Sequence, residues 1–109
     1  MTRLKHLFRP IKIGELELKN RIVMPCANAS GGGGKHVVSY YAERAHGGAG
    51  LIIVGGMYPY DPGTAGARWG VRKDVSEEER RAIREFALYG DELIPGLREL
   101  ATAIHDNGA

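Results

Sequence analysis

Few side chains in this sequence are able to do chemistry: one cysteine, Cys26, four histidines, and glycine-rich stretches that let a ligand approach the backbone. Gly31-Gly32-Gly33-Gly34-Lys35 invites a phosphate-loop reading, with backbone amides cradling phosphates and the lysine reaching the terminal ones. That motif needs a glycine, four residues, then Gly-Lys-Ser/Thr. Ala29 stands at the place of the first glycine and His36 at that of the hydroxyl, so no side chain would hold magnesium. The run reads better as a pliable loop. Cys26 could be a nucleophile, yet no histidine-plus-acid arrangement is legible near it; it reads as a small, buried residue beside a ligand. His6, His36, His46 and His105 have no metal-ligand spacing with each other or with Cys26, and read as surface or capping histidines. Tyr58, Tyr60 and Trp69 could line a pocket mouth or simply pack their own loop.

The elements that must position these residues follow from periodicity. Ile11, Ile13, Leu16 and Leu18 are apolar, with Lys12 and Glu17 between them. A two-residue turn at Gly14-Glu15 puts Ile13 opposite Leu16, Ile11 opposite Leu18 and Lys12 opposite Glu17. Glycine at the first turn position fits a type II′ hairpin, whose apolar face must cover something, since a lone hairpin is unstable in water. Arg21 to Pro25 holds an apolar run without alternation, as does Leu51 to Val54. Both read as strands buried on two faces of a parallel sheet. Between them Val37, Val38, Tyr41, Ala42 and Ala45 have helical spacing, closed by Gly47-Gly48. Strand, helix and strand over residues 21–56 make a βαβ unit, whose crossover is expected to be right-handed.

Residues 57–75 read as a long loop broken by Pro59, Pro62, Gly63, Gly66 and Gly70. Ser76 to Glu79 has capping-box spacing and predicts a helix to about Leu88, broken by Gly90. A further helix starts near Asp91, tolerates Pro95 in its first turns, and buries Leu97, Leu100, Ala101 and Ile104 before Asn107-Gly108 ends it. At the carboxyl ends of the parallel strands, where ligands of α/β sheets and barrels sit, lie Pro25 to Ser30 and Gly55-Gly56. For Gly55 and Gly56 two readings stand together: close backbone approach to a flat or phosphorylated ligand, or a tight strand-to-loop turn.

Composition narrows the classes. The chain has 109 residues, room for one small domain, and its charged and apolar fractions are those of a globular protein. Its 16 glycines are about twice the usual share, without the Gly-X-Y period of collagen. One cysteine excludes an intrachain disulfide and suits a reducing, cytoplasmic setting. No signal peptide is visible, and the apolar runs are too short to cross a membrane. Residues 1–60 hold eight Lys/Arg against three acids and residues 61–109 seven against ten, which could favour a phosphate-bearing ligand or be scattered solvated charge. No basic run has interleaved aromatics, so nucleic acid is not an expected partner. Two parallel strands with their helices cannot close a core, so the chain is expected to be a fragment of a larger α/β protein or one part of an assembly.

Leu7 to Gly14, then Leu18 to Pro25, resembles the start of the old yellow enzyme family of FMN-dependent ene-reductases and 2,4-dienoyl-CoA reductase-like NADH:flavin oxidoreductases. Tyr40 to Val54 is similar to that family's first helix and second strand, and Asp91 to Arg98 with His105 to Ala109 to its second helix and its end. The resemblance leaves out residues 31–36 and 57–88, with residues 70–90 reading as an insertion. It implies a (β/α)8 barrel (TIM barrel) of α/β class whose bottom is covered by an N-terminal hairpin. Residues 1–109 would be the N-terminal segment of this single FMN-binding barrel domain, with the hairpin at 10–19, the βαβ unit at 21–56 and loop and helices at 57–107.

The activity implied is oxidoreduction: hydride passes from NAD(P)H through FMN to an activated C=C bond or similar acceptor of a small-molecule substrate. Carried over residue by residue, Pro25, Cys26, Ala27 and Asn28 lie along the flavin ring, and the backbone of Gly56 meets it. Asn28 stands where relatives often have Thr, Cys or His, a residue that tunes the flavin. Ser30 is near where some relatives place a substrate-contacting tyrosine. The family's catalytic acid, substrate-anion and phosphate-binding residues fall beyond residue 109, so the expected partner is the rest of the barrel or further copies of the chain. The competing expectation is a catalytically inactive part-barrel that acts only by association with another chain.

Overall fold

The hairpin takes the register that its alternation predicts. In the computed structural model, which describes residues 4–27, 34–55, 57, 77 and 87–109, β1 (Ile11–Ile13) pairs antiparallel with β2 (Leu16–Leu18). Ile11 faces Leu18, Lys12 faces Glu17 and Ile13 faces Leu16. Gly14 has φ +59°, and no described non-glycine residue has a positive φ, so Glu15 does not share it. One positive φ at the first central position separates type II′ from type I′, which needs two. Leu18 is buried, but Ile13 and Leu16 remain 55% and 54% exposed.

The second sheet is parallel: β3 (Val23–Ala27) pairs with β4 (Leu51–Val54) through helix α1 (Gly34–His46). Val23 lies beside Leu51 and Met24 beside Ile52, but the next pair is Ala27 with Val54. One extra residue has entered β3. Pro25 explains the irregularity, because proline has no N–H to give to a ladder and inside a sheet is confined to edges and bulges. The strand runs two residues past the end predicted for it, to Ala27.

Helix α1 begins three residues ahead of Val37 and ends at His46, and a glycine closes it. Gly48 has φ +106°; its N–H donates to the Ala45 carbonyl (3.0 Å) and the Ala49 N–H to the Arg44 carbonyl (3.4 Å). Those two bonds are the Schellman pattern, which satisfies carbonyls that a helix end leaves unpaired. A 3₁₀ turn over Asp91–Leu93 leads into α2 (Ile94–Asp106), with Pro95 in its first turn. Helix α2 ends by the same pattern, Gly108 donating to His105 and Ala109 to Ile104. Glu77 is helical, while Ala87 to Gly90 are not, so the helix predicted from Ser76 cannot reach Leu88; its remainder lies outside the described residues.

The core sits between α1, α2 and one face of the parallel strands. Tyr41, Ala45, Leu100 and Ile104 form its buried centre, with Met24, Ile52, Val54 and Met57 packed against it. The opposite face is open: Val23 is 41% and Ile53 47% exposed. This corrects the expectation of strands buried on two faces. An apolar run without alternation states that both sides suit burial, but among the described residues helices cover only one. Ala101, expected in the buried stripe of α2, is also exposed. It borders an apolar groove of about 230 Å³ between β4 and α2, lined also by Ile52, Val54, Met57 and Leu97.

Candidate functional site

The carboxyl ends of β3 and β4 lie side by side, because Ala27 pairs with Val54 at the last position of both strands. The site therefore begins with Pro25, Cys26 and Ala27 on one strand and Gly55 on the other. Pro25 and Cys26 are exposed, and Ala27 and Gly55 are half-buried. Exposure of Cys26 corrects its reading as a buried residue. Among the described residues nothing packs over the thiol to bury it. Asn28 and Gly56, the other two candidate residues, lie outside the described residues, as do Ser30, Tyr58, Tyr60 and Trp69.

A residue that sequence reasoning placed only in the core holds the two strand ends. Tyr41, on α1, is 1% exposed, and its hydroxyl donates to the Ala27 carbonyl while accepting the Gly55 N–H (3.3 Å). The ring also has an aromatic neighbour. Tyr40 meets it edge-to-face at 5.2 Å between centroids and 89° between planes, a favourable quadrupolar arrangement. The Arg44 guanidinium lies 3.4 Å from the centre of the Tyr40 ring and donates to the Tyr40 carbonyl at 2.8 Å. The signal available beforehand was chemical: a tyrosine in a buried stripe carries a hydroxyl that must find a partner.

The amino ends of the strands have their own anchor. Asn20 is 7% exposed; its Nδ2 donates to the Gly48 carbonyl (2.8 Å) and its Oδ1 accepts the Ile22 N–H (3.0 Å). Gly50 donates to the Ile22 carbonyl at 2.9 Å, so β4 is registered on β3 from its first residue. The structure thus fixes both ends of the strand pair by side chains rather than by the short ladder alone.

Chemically, the described part of the site is a surface for a flat group. Proline, cysteine, alanine and glycine present little bulk, and a ring can lie against their backbone without displacing a large side chain. An aromatic cofactor ring such as a flavin fits this description. Its phosphate has no evident basic partner among Pro25, Cys26, Ala27 and Gly55. Among the described residues no group of three or more His, Cys, Asp or Glu could hold a metal ion, and no helix is long and apolar enough to cross a membrane. The groove between β4 and α2 is walled by apolar side chains apart from His105, the lining of a packing surface.

A parallel strand pair layered on helices, with its open carboxyl ends adjoining, is an α/β unit of the kind from which parallel α/β barrels are built. The family profile of the NADH:flavin oxidoreductases and NADH oxidases matches residues 6–109, and the chain belongs to that family. An NADH oxidase of Thermoanaerobacter brockii is 34% identical over 114 aligned positions, which cover 100% of this chain and 15% of that protein. Among solved structures, the old yellow enzyme of Pichia sp. AKU4542 superposes with a TM-score of 0.62 at 25% identity, over 95% of this chain and 24% of that one. A 2-naphthoyl-CoA reductase in complex with 2-naphthoyl-CoA superposes with a TM-score of 0.66 at 28% identity, over 96% of this chain and 14% of that one. The chain therefore spans a small part of the length of these relatives.

Proposed function

We propose that this chain is the opening segment of an FMN-binding (β/α)8 barrel, and that the barrel passes hydride from NAD(P)H to an activated C=C bond or similar acceptor. The observation that supports it most is the pair of adjoining strand ends, with exposed Pro25 and Cys26, in a chain of the NADH:flavin oxidoreductase family. When bound, FMN supplies the two-electron chemistry. The chain's own residues supply a place for the ring. Pro25, Cys26 and Ala27 give it a shallow wall, the Asn28 amide offers a hydrogen-bond donor to it, and Gly56 lets the backbone approach. The open face that carries Val23 and Ile53 becomes the interior of the barrel, where side chains from further strands cover it.

The test is flavin content and anaerobic reduction. Barrel protein that contains this chain should purify yellow, or take up FMN stoichiometrically, and its flavin should bleach on addition of NADH or NADPH and recover with an enone. Colourless protein that takes up no FMN refutes the reading and leaves the non-catalytic part-barrel.

A further inference from the structure

We infer that Tyr41 is a positioning residue for the flavin: its hydroxyl clamps the ends of β3 and β4 and so sets the spacing of the two backbone segments that meet the ring. The inference rests on the FMN reading above and goes beyond it, since Tyr41 lies in the helical layer and not at the site's surface.

The strand pair is weakest where it enters the site. Its register shifts between Met24 and Ala27, where Pro25 has no amide hydrogen to contribute. Beyond that point the Tyr41 hydroxyl joins the strands, through the Ala27 carbonyl on one side and the Gly55 amide on the other. The residues that follow Ala27 and Gly55 in sequence, Asn28 and Gly56, belong to the proposed flavin wall.

The hydroxyl makes a useful fixed point only if the ring behind it cannot move. Ala45, Leu100 and Ile104 share the buried core with the ring, and Tyr40, which itself lies under the Arg44 guanidinium, meets it edge-to-face. The distance between the two flavin-facing segments is thereby referred to the packing of α1 on α2. A side chain that only filled the core would need the ring and not the oxygen. Here the oxygen has two partners, on the two strands that form the site.

Tyr41→Phe separates these roles, because it keeps the ring and its packing and removes both hydrogen bonds. The measurements are made on the FMN-loaded barrel containing this chain: FMN dissociation constant by flavin fluorescence, visible absorption band and midpoint potential, beside thermal unfolding of the apoprotein. Tyr40→Phe, which takes a hydroxyl from the neighbouring ring, is the comparison. Tyr41→Phe should weaken FMN binding about tenfold, equivalent to about 1.4 kcal/mol, and shift the band and potential. Tyr40→Phe should stay within about twofold of wild type, well under 1 kcal/mol. Wild-type affinity, spectrum and potential in Tyr41→Phe would overturn the inference and leave Tyr41 a core residue, as would a variant that loses its fold outright. Failure of the wild-type protein to bind FMN overturns the flavin reading itself, and is distinguished by appearing before any substitution.

Discussion

Asn20 bonds a residue 28 positions away, and the cost of removing it can be worked from two bonds. Asn20→Ala leaves the Gly48 carbonyl and the Ile22 amide without their partners in a place where the side chain itself is 7% exposed. A buried polar group left unsatisfied costs about 1–3 kcal/mol. Ile22 and Gly48 are less deeply placed than Asn20, so water can recover part of that loss, and the expected destabilisation is about 2–4 kcal/mol. Asn20→Asp tests the reasoning more sharply, because it keeps the shape and the acceptor for Ile22 but turns an oxygen toward the Gly48 carbonyl, which the amide meets at 2.8 Å. An ionised carboxylate there faces a carbonyl lone pair in a poorly hydrated place, so the pKa in the fold is raised above the unfolded value of about 3.9.

A carboxyl whose folded pKa is raised binds its proton more tightly in the fold, so stability is lost as pH rises through that pKa and regained as it falls. Once protonated, the carboxyl introduced by Asn20→Asp can donate to the Gly48 carbonyl as the amide does. Urea unfolding of the assembled barrel near pH 7 and near pH 5 should therefore show Asn20→Asp recovering toward wild type at the lower pH, and Asn20→Ala keeping a constant deficit. A loss under about 1 kcal/mol for Asn20→Ala, less than one unsatisfied group costs, or identical pH dependence of the two variants would show that Asn20 does not anchor the strand ends in this way.

Gly50→Ala should cost about 2–3 kcal/mol in the same unfolding assay, because a Cβ there would meet the Asn20 side chain and, at 2.8 Å, its backbone oxygen. Its cost should shrink in an Asn20→Ala background, where the side-chain part of the clash is gone. Gly48→Ala forces an L-residue to φ +106° and should lose about 1–2 kcal/mol, whereas Gly47→Ala, without a positive φ and with ordinary contacts, should stay within about 0.5 kcal/mol. Asn28→Ala should shift the flavin midpoint potential by tens of millivolts, given about 1–3 kcal/mol for a lost hydrogen bond and about 1.4 kcal/mol per 30 mV of a two-electron couple; an unchanged potential in a redox titration removes Asn28 from the flavin wall. The isolated 109-residue chain, with Val23, Ile53, Ile13 and Leu16 exposed, should show no sharp cooperative thermal transition, and a sharp one in dilute monomer would contradict that.

What the residues determined by themselves were the features that depend on neighbours in the chain. Alternation around Gly14-Glu15 is enough to set the hairpin register, because the partners lie within eight residues and the turn type follows from one glycine. Gly48 and Gly108 mark the helix ends for the same local reason, a left-handed position that other residues resist. The family was legible too, since its segments recur here in order and spacing. Tertiary structure decided everything that needed a distant partner. Pro25 was visible as a proline, but only the register of β3 against β4 shows where the extra residue enters. The hydrophobic runs announced strands without saying which face would be covered, and Val23 and Ile53 are open because burial depends on the layers available. Cys26 is exposed because burial there depends on what packs over β3, which no property of the thiol encodes. Tyr41 sits 14 residues from each of its hydrogen-bond partners, and Asn20 28 from one of its own. A side chain's polarity states that a partner is needed, and only the fold says which backbone group arrives to meet it.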